Sequence, residues 1–221
     1  MELRPYADGF FDDLIMPYHG LSRDNNLRAD ITLEKMAKLG PVFDSNEGTI
    51  TAGNATPFTD GASAVLLASE DWAKARGLPI LAYIRAGEVA AVDYIDEREG
   101  LLMAGAYAMP RMLQKTGLKL QDFDFYEIHE AFAAVVLCTL AAMDSDQFCR
   151  ERLGLEGGLG TIDRSKLNVK GGSLATGHPF AATGGRIVGT LAKALDENGG
   201  GRGLISICAA GGQAVAAILE K

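Results

Sequence analysis

Short apolar runs alternate along this chain with longer amphipathic stretches, a pattern that predicts strands interleaved with helices. Residues 64–69 read as a buried strand, 70–76 as a helix, and 80–85 as a second strand after the Gly77-Leu78-Pro79 break. The polar stretch 93–103 reads as a loop that covers a site or meets a partner. Beyond it the pattern predicts a helix over 106–115, a strand over 124–128 and a helix over 131–142. An irregular run to Leu167 follows, then a helix over 182–197 and a closing pair of strands at 203–208 and 213–219. The first 44 residues show little periodicity apart from 32–39, where Leu33, Met36 and Ala37 share one side of a short helix. Strands alternating with helices and closed by a hairpin describe an α/β layered domain.

Three segments interrupt this pattern with chemistry. In KGGSLATGHPFAATGGR, residues 170–186, His178 stands between glycine-rich bends ahead of the predicted helix 182–197. Gly171 and Gly172 permit backbone angles barred to other residues, Gly177 allows close approach, and Pro179 stiffens the exit. A nearby helix N-terminus favours a neutral imidazole, the form a general base needs. The bland alternative is a buried histidine in an ordinary glycine-rich turn. In the segment 123–134, His129, Glu130 and Phe132 fall where a strand gives way to a helix, the place where α/β proteins collect site residues. Glu130 has a competing reading as a carboxylate that stabilises a helix start. Near the C-terminus, an apolar strand delivers Cys208 to its end, and the Gly211-Gly212 bend can turn backbone N–H groups toward a developing oxyanion. Cys138 reads as inert filling on the apolar face of helix 131–142, and Cys149 as a surface or loop residue.

Composition narrows the classes. A length of 221 residues is enough for a sizeable core, and a net charge of −8 argues against nucleic acid or an anionic membrane as the main partner. Three scattered cysteines offer neither a disulfide framework nor zinc spacing, which predicts a reducing compartment. With no signal peptide or long apolar span in the sequence, a soluble, cytoplasmic protein without membrane insertion is expected.

The motifs HEAF at 129–132, GGSLATGHPF at 171–180 and CAAGGQ at 208–213, in this order, resemble the C-terminal half of a thiolase. Residues 48–64 resemble the segment lining the pantetheine channel of that family, and 9–44 the later part of its loop domain. His129 stands where many thiolases carry asparagine; with residues 142–148, this is similar to the 3-ketoacyl-CoA thiolase branch that includes the trifunctional-complex β-subunit. The resemblance implies an α/β, C-terminal thiolase-fold domain, a mixed sheet layered with helices, preceded by part of the loop domain. It divides the chain into a partial loop domain at 1–47, a connecting segment and strand that normally complete the N-terminal domain at 48–70, and the C-terminal domain at 71–221.

It also implies roles. His178 would activate the nucleophilic thiol and bind the thioester oxygen of the leaving acetyl-CoA; His129 would support that pocket through a water. Cys208 would protonate the substrate carbanion and then deprotonate the incoming CoA thiol, and the backbone N–H of Ala210 would supply half of a second oxyanion hole. Ala52, Ala55, Thr56 and Phe132 match residues beside pantetheine, with core packing as their alternative. Arg23, Arg28 and Lys35 form a basic cluster, read as a solvated loop or as a contact for CoA phosphates. The implied substrates are CoA and 3-ketoacyl-CoA with medium or long acyl chains, in a higher oligomer, with no metal and no cofactor beyond CoA as substrate. None of the cysteines lies in the small-residue turn expected of the thiolase nucleophile, so a polypeptide or parent chain carrying the N-terminal half is implied. The competing readings are a noncatalytic CoA or acyl-CoA binding module and a truncated remnant. Ala181 departs from the family's usual glycine, at a cost of about 1 kcal/mol if that position has positive φ.

Overall fold

The chain's apolar periodicity resolves into one sheet with helices on both faces. The computed structural model describes residues 4–96 and 98–221. In chain order these form α1 (Arg4–Ala7), α2 (Leu33–Met36), α3 (Glu70–Ala75), β1 (Tyr83–Ala91), α4 (Gly105–Thr116), β2 (Phe125–Ile128), α5 (Ala133–Asp144), α6 (Asp146–Leu153), α7 (Ser173–Thr176), α8 (Thr183–Glu197), β3 (Arg202–Ala209) and β4 (Gln213–Glu220). The four strands lie in the order β1-β4-β3-β2. β2 and β3 are parallel, with Ile128 opposite Ser206, and the two remaining pairings are antiparallel.

Period-two alternation sends neighbouring side chains to opposite faces. Tyr126, Leu204, Ala216 and Ile218 pack with Met109, Met112 and Leu113 of α4. Ile205 and Leu219, with Phe125 and Ala217, meet Ile187, Leu191 and Leu195 of α8 on the other face. α8 buries Thr183, Ile187, Thr190, Leu191, Ala194 and Leu195, a single stripe at helical spacing. Gly203 lets that helix sit close, since a Cβ there would meet the Leu191 side chain. α4 closes at Gly117, whose φ of 70° lets its N–H reach the Leu113 carbonyl. The N-terminal segment is tied to α8 through Phe10, which is buried under the Lys193 and Lys170 ammonium groups.

The expected α/β layered fold is present, and several local expectations are corrected. Residues 64–69 form no ladder and are exposed, with Leu66 at 72% and Leu67 at 67% of full exposure, because no strand among the described residues pairs with them. The strand expected at 80–85 occupies Tyr83–Ala91, where β4 offers a partner along its length. The run to Leu167 contains α6, capped by Ser145 through its hydroxyl to the Phe148 N–H and ended by Gly154 at φ 68°. That helix buries Cys149, whose thiol donates to the Met143 carbonyl at 3.3 Å, so Cys149 is core and not surface. Cys138 is the exposed thiol instead, on a face of α5 that nothing covers among the described residues.

Candidate active site

Parallel β2 and β3 end side by side, and the candidate residues lie at their carboxyl ends. The His129 N–H continues the ladder to the Ser206 carbonyl at 2.9 Å, two residues before Cys208. The loop 167–172 is spliced on by Asn168, a non-glycine residue at φ 48°. Its N–H reaches the Tyr126 carbonyl at 2.8 Å, while its side-chain amide bonds both the N–H and the carbonyl of Ile128 at 2.9 Å. The same amide donates to Glu130 at 2.7 Å, and the other Glu130 oxygen accepts the Leu174 N–H at 3.1 Å. Glu130 therefore clamps the start of α7 onto the sheet and is not a cap on α5. Gly172 has an ordinary extended φ of −127°; what it supplies is space, because a Cβ would collide with the Glu130 carboxylate. Gly177 does adopt a positive φ, 98°, and a Cβ there would strike Thr59.

These constraints bring the two histidines together. The rings of His129 and His178 lie with centroids 4.3 Å apart, and Phe180 flanks His178 on another side at 4.9 Å. His178 is held by its own N–H to the Pro57 carbonyl at 3.0 Å and by Nδ1 to Thr183 Oγ1 at 2.6 Å. His129 Nδ1 meets Ser173 Oγ at 2.8 Å, and that oxygen also accepts from Arg186 Nη2 at 2.7 Å. His129 Nε2 and Arg186 Nε are buried without a hydrogen-bond partner among the described residues.

Burial sets the protonation states. It lowers His129 to about 3, with His178 and Arg186 adding repulsion, and it lowers His178, again with help from Arg186. Both imidazoles are neutral at pH 7. Cys208 is pushed up to about 11 by burial, so it rests as a thiol that can give a proton. Glu127, next to the sheet end, is pushed up to about 8 by burial against the opposing pull of Arg186.

The residues matched to pantetheine contact the same junction. The Thr56 N–H reaches the Ala131 carbonyl at 3.0 Å, Ala55 bridges to Phe132, and the Ala133 N–H reaches the Asn54 carbonyl at 2.9 Å. Thr56 Oγ1 is already bonded to the Ser173 carbonyl at 2.5 Å, and Phe132 stacks edgewise on Phe43. Ala52 is exposed beside them. Ala210 stands exposed on the turn between β3 and β4, its N–H without a backbone partner among the described residues, with Gly211 at φ 90° and Gly212 at φ 74°. The basic cluster is partly neutralised, since Lys35 pairs with Asp30 at 2.6 Å. Ala181 lies in a regular 3₁₀ turn and not at positive φ, which removes the strain considered for it. Sequence reasoning overlooked Ser173, Thr183, Arg186 and Asn168 as site-building residues. The first three lie inside the 170–186 motif, where hydroxyls and an arginine flanking a histidine were the available signal.

A strand-end thiol, two packed neutral histidines and a glycine-shaped loop are found on this fold together with matching family models. The model described as "Thiolase, C-terminal domain" covers residues 78–221, and "Thiolase, N-terminal domain" covers 6–71. The chain belongs to the thiolase family. Among its relatives, the 3-ketoacyl-CoA thiolase of Shewanella baltica (strain OS185) is 46% identical over 97% of this chain and 50% of its own length. That of Pseudoalteromonas atlantica (strain T6c / ATCC BAA-1087) is 49% identical over 92% and 46%. Human mitochondrial 3-ketoacyl-CoA thiolase, solved in complex with CoA, superposes with a TM-score of 0.79 at 32% identity over 100% of this chain and 51% of that one. The Bacillus anthracis acetyl-CoA acetyltransferase gives 0.79 at 36% identity, over 99% and 52%. The chain thus spans about half the length of the curated relatives it matches.

Proposed function

We propose that this chain supplies the acid/base half of a 3-ketoacyl-CoA thiolase, an acyltransferase that converts 3-ketoacyl-CoA and CoA to acyl-CoA and acetyl-CoA in fatty-acid β-oxidation. The observation that carries this is the packing of His129 on His178, 4.3 Å between centroids, at the sheet end that also presents Cys208. The nucleophilic cysteine comes from a second polypeptide or from the rest of a longer parent chain. Its thiol gives a proton to His178 and attacks the 3-keto carbon. The Cα–Cβ bond then breaks, and its electron pair leaves as the enolate of acetyl-CoA, which takes the Cys208 proton. Cys208 next accepts the proton of an incoming CoA thiol, whose sulfur attacks the acyl-enzyme; the acyl–sulfur bond to the nucleophile breaks, acyl-CoA leaves, and the freed thiolate takes back the proton held by His178. The N–H of Ala210 and the two histidines are the donors for the developing oxyanions. The reaction calls on no metal or redox group.

The partner has a surface to occupy. α5 is apolar all round, and a helix of that kind is ordinarily buried. Here Ala134, Leu137, Cys138 and Ala141 form an exposed stripe at i, i+3, i+4 and i+7. The unladdered Val65, Leu66 and Leu67 add exposed apolar side chains on a segment whose backbone has no strand partner among the described residues. We assign residues 1–47 to a partial loop domain, 48–70 to a segment that completes the missing half, and 71–221 to the C-terminal domain; we place the assembly in the cytoplasm as a higher oligomer. Residues 52–56 and Phe132 border the pantetheine arm.

Native pull-down from source cells with mass spectrometry tests this. A stoichiometric partner bearing a thiolase N-terminal half with a turn-borne cysteine is expected, and recovery of the chain with no such polypeptide, joined or separate, contradicts it. In the recovered complex Cys208→Ala abolishes turnover yet leaves acylation of the nucleophile detectable; loss of assembly instead would make Cys208 a packing residue.

A further inference from the structure

The hydrogen-bond inventory behind His129 leaves one consistent arrangement of protons. A guanidinium only donates, so Ser173 Oγ accepts from Arg186 Nη2 at 2.7 Å. The hydroxyl hydrogen of Ser173 then needs an acceptor. Ser173 is 1% exposed, so bulk water does not reach it, and among the described residues its other hydrogen-bond neighbour is His129 Nδ1 at 2.8 Å. A donated hydroxyl requires a lone pair on Nδ1, and a neutral imidazole with a lone pair there carries its hydrogen on Nε2.

We propose that Ser173, oriented by Arg186, fixes His129 as the tautomer that accepts at Nδ1 and donates at Nε2, so that the site receives one preset N–H. Nε2 is buried and has no partner among the described residues, as expected of a donor whose acceptor arrives with the ligand. The acceptor it suits is an oxygen with growing negative charge, such as the thioester oxygen of a leaving enolate. A lone pair at the same place would repel that charge. His178 is built differently. Its Nδ1 faces Thr183 Oγ1 at 2.6 Å, and among the described residues no guanidinium or other third group donates to that hydroxyl, so nothing comparable to Arg186 imposes the direction of the bond. The fixed tautomer is therefore assigned to His129 alone. Ser173 and Arg186 are positioning residues in this arrangement. The use of the N–H rests on the thiolase reading, while the tautomer rests on the hydrogen bonds alone.

The full chain labelled with ¹⁵N-histidine, with resonances assigned through His129→Gln, tests the tautomer by long-range ¹H–¹⁵N correlation at neutral pH. The expected pattern for His129 is a protonated Nε2 and an unprotonated, hydrogen-bonded Nδ1. Ser173→Ala should move the Nδ1 resonance to that of an unbonded ring nitrogen, and Ser173→Thr should return it. A proton on Nδ1 in the native chain overturns the proposal, and this reading needs no variant to fold. A folded Ser173→Ala chain whose Nδ1 resonance is unmoved also overturns it. In an active complex, Ser173→Ala should lower kcat by about tenfold to a hundredfold with KM little changed, the mark of a donor used in the transition state. The proposed tautomer in a complex without thiolysis would contradict the functional reading and leave this one standing.

Discussion

His129 and Glu127, two residues apart in the sequence, are buried groups whose ionisation works against folding from opposite sides of neutral pH. His129 has a folded value of about 3 against an ordinary 6.5, so below 6.5 the unfolded chain binds a proton that the folded chain refuses. Stability is lost as pH falls from 6.5 toward 3. Glu127 has a folded value of about 8 against 4.5, so between these values the unfolded chain sheds a proton that the folded chain keeps, and stability is lost as pH rises through that window. Glu127→Gln should therefore raise the unfolding free energy from denaturant titration at pH 8, by on the order of a few kcal/mol, with the gain vanishing near pH 5. An equal gain at both values would show that Glu127 is ionised in the fold. The thiols give a second check at this scale. In the native chain at pH 8 Cys138 should react with a disulfide reagent as an open thiol, whereas buried Cys149 and Cys208 should wait for unfolding. Fast labelling of a second thiol would contradict the burial of Cys149 or Cys208, and peptide mapping of the label would show which. Asn168→Ala removes the side-chain bonds to Ile128 and Glu130 from a residue at positive φ, and should cost about 2–3 kcal/mol in chemical denaturation.

At the scale of elements, α5 separates the chain's own stability from its assembly. Leu137 is 48% exposed on the apolar stripe, so Leu137→Asp should change the thermal midpoint of the isolated chain little and abolish capture of the partner half. Unchanged capture would move the interface elsewhere. Ala181→Gly, in a regular 3₁₀ turn, should leave the fold intact and not lower activity in an assembled enzyme. The same elements explain what could be read beforehand. The positions of α4, α8, β2 and the β3–β4 hairpin were legible because each buries one periodic face within this chain. Residues 64–69 carry an equally apolar pattern and were expected to be buried; the pattern reports the demand for a partner, not whether this polypeptide contains it. Cys138 failed for the same reason. α6 was missed because its eight residues are mostly polar, although the Ser145 cap, the Gly154 stop and the Asp146–Arg150 spacing were all present to be read. The histidines and Cys208 were legible as motifs. Their support by Ser173, Thr183, Arg186 and Asn168 was not, since those contacts depend on how the loop returns across β2.

For the whole molecule, the fold presents acid/base groups at one end of a sheet and apolar surface beside it, in a chain about half as long as the thiolases it matches. On the proposed function, this half becomes a thiolase when joined to a cysteine-bearing half. The most direct test is CoA-dependent cleavage of a medium-chain 3-ketoacyl-CoA by the purified complex, following acetyl-CoA release. Equimolar acyl-CoA and acetyl-CoA, formed by the complex and lost on His178→Ala, is the predicted result. A stable complex with an intact nucleophile that binds CoA without cleaving the substrate would contradict the claim, and would make this chain a binding module built on a thiolase frame.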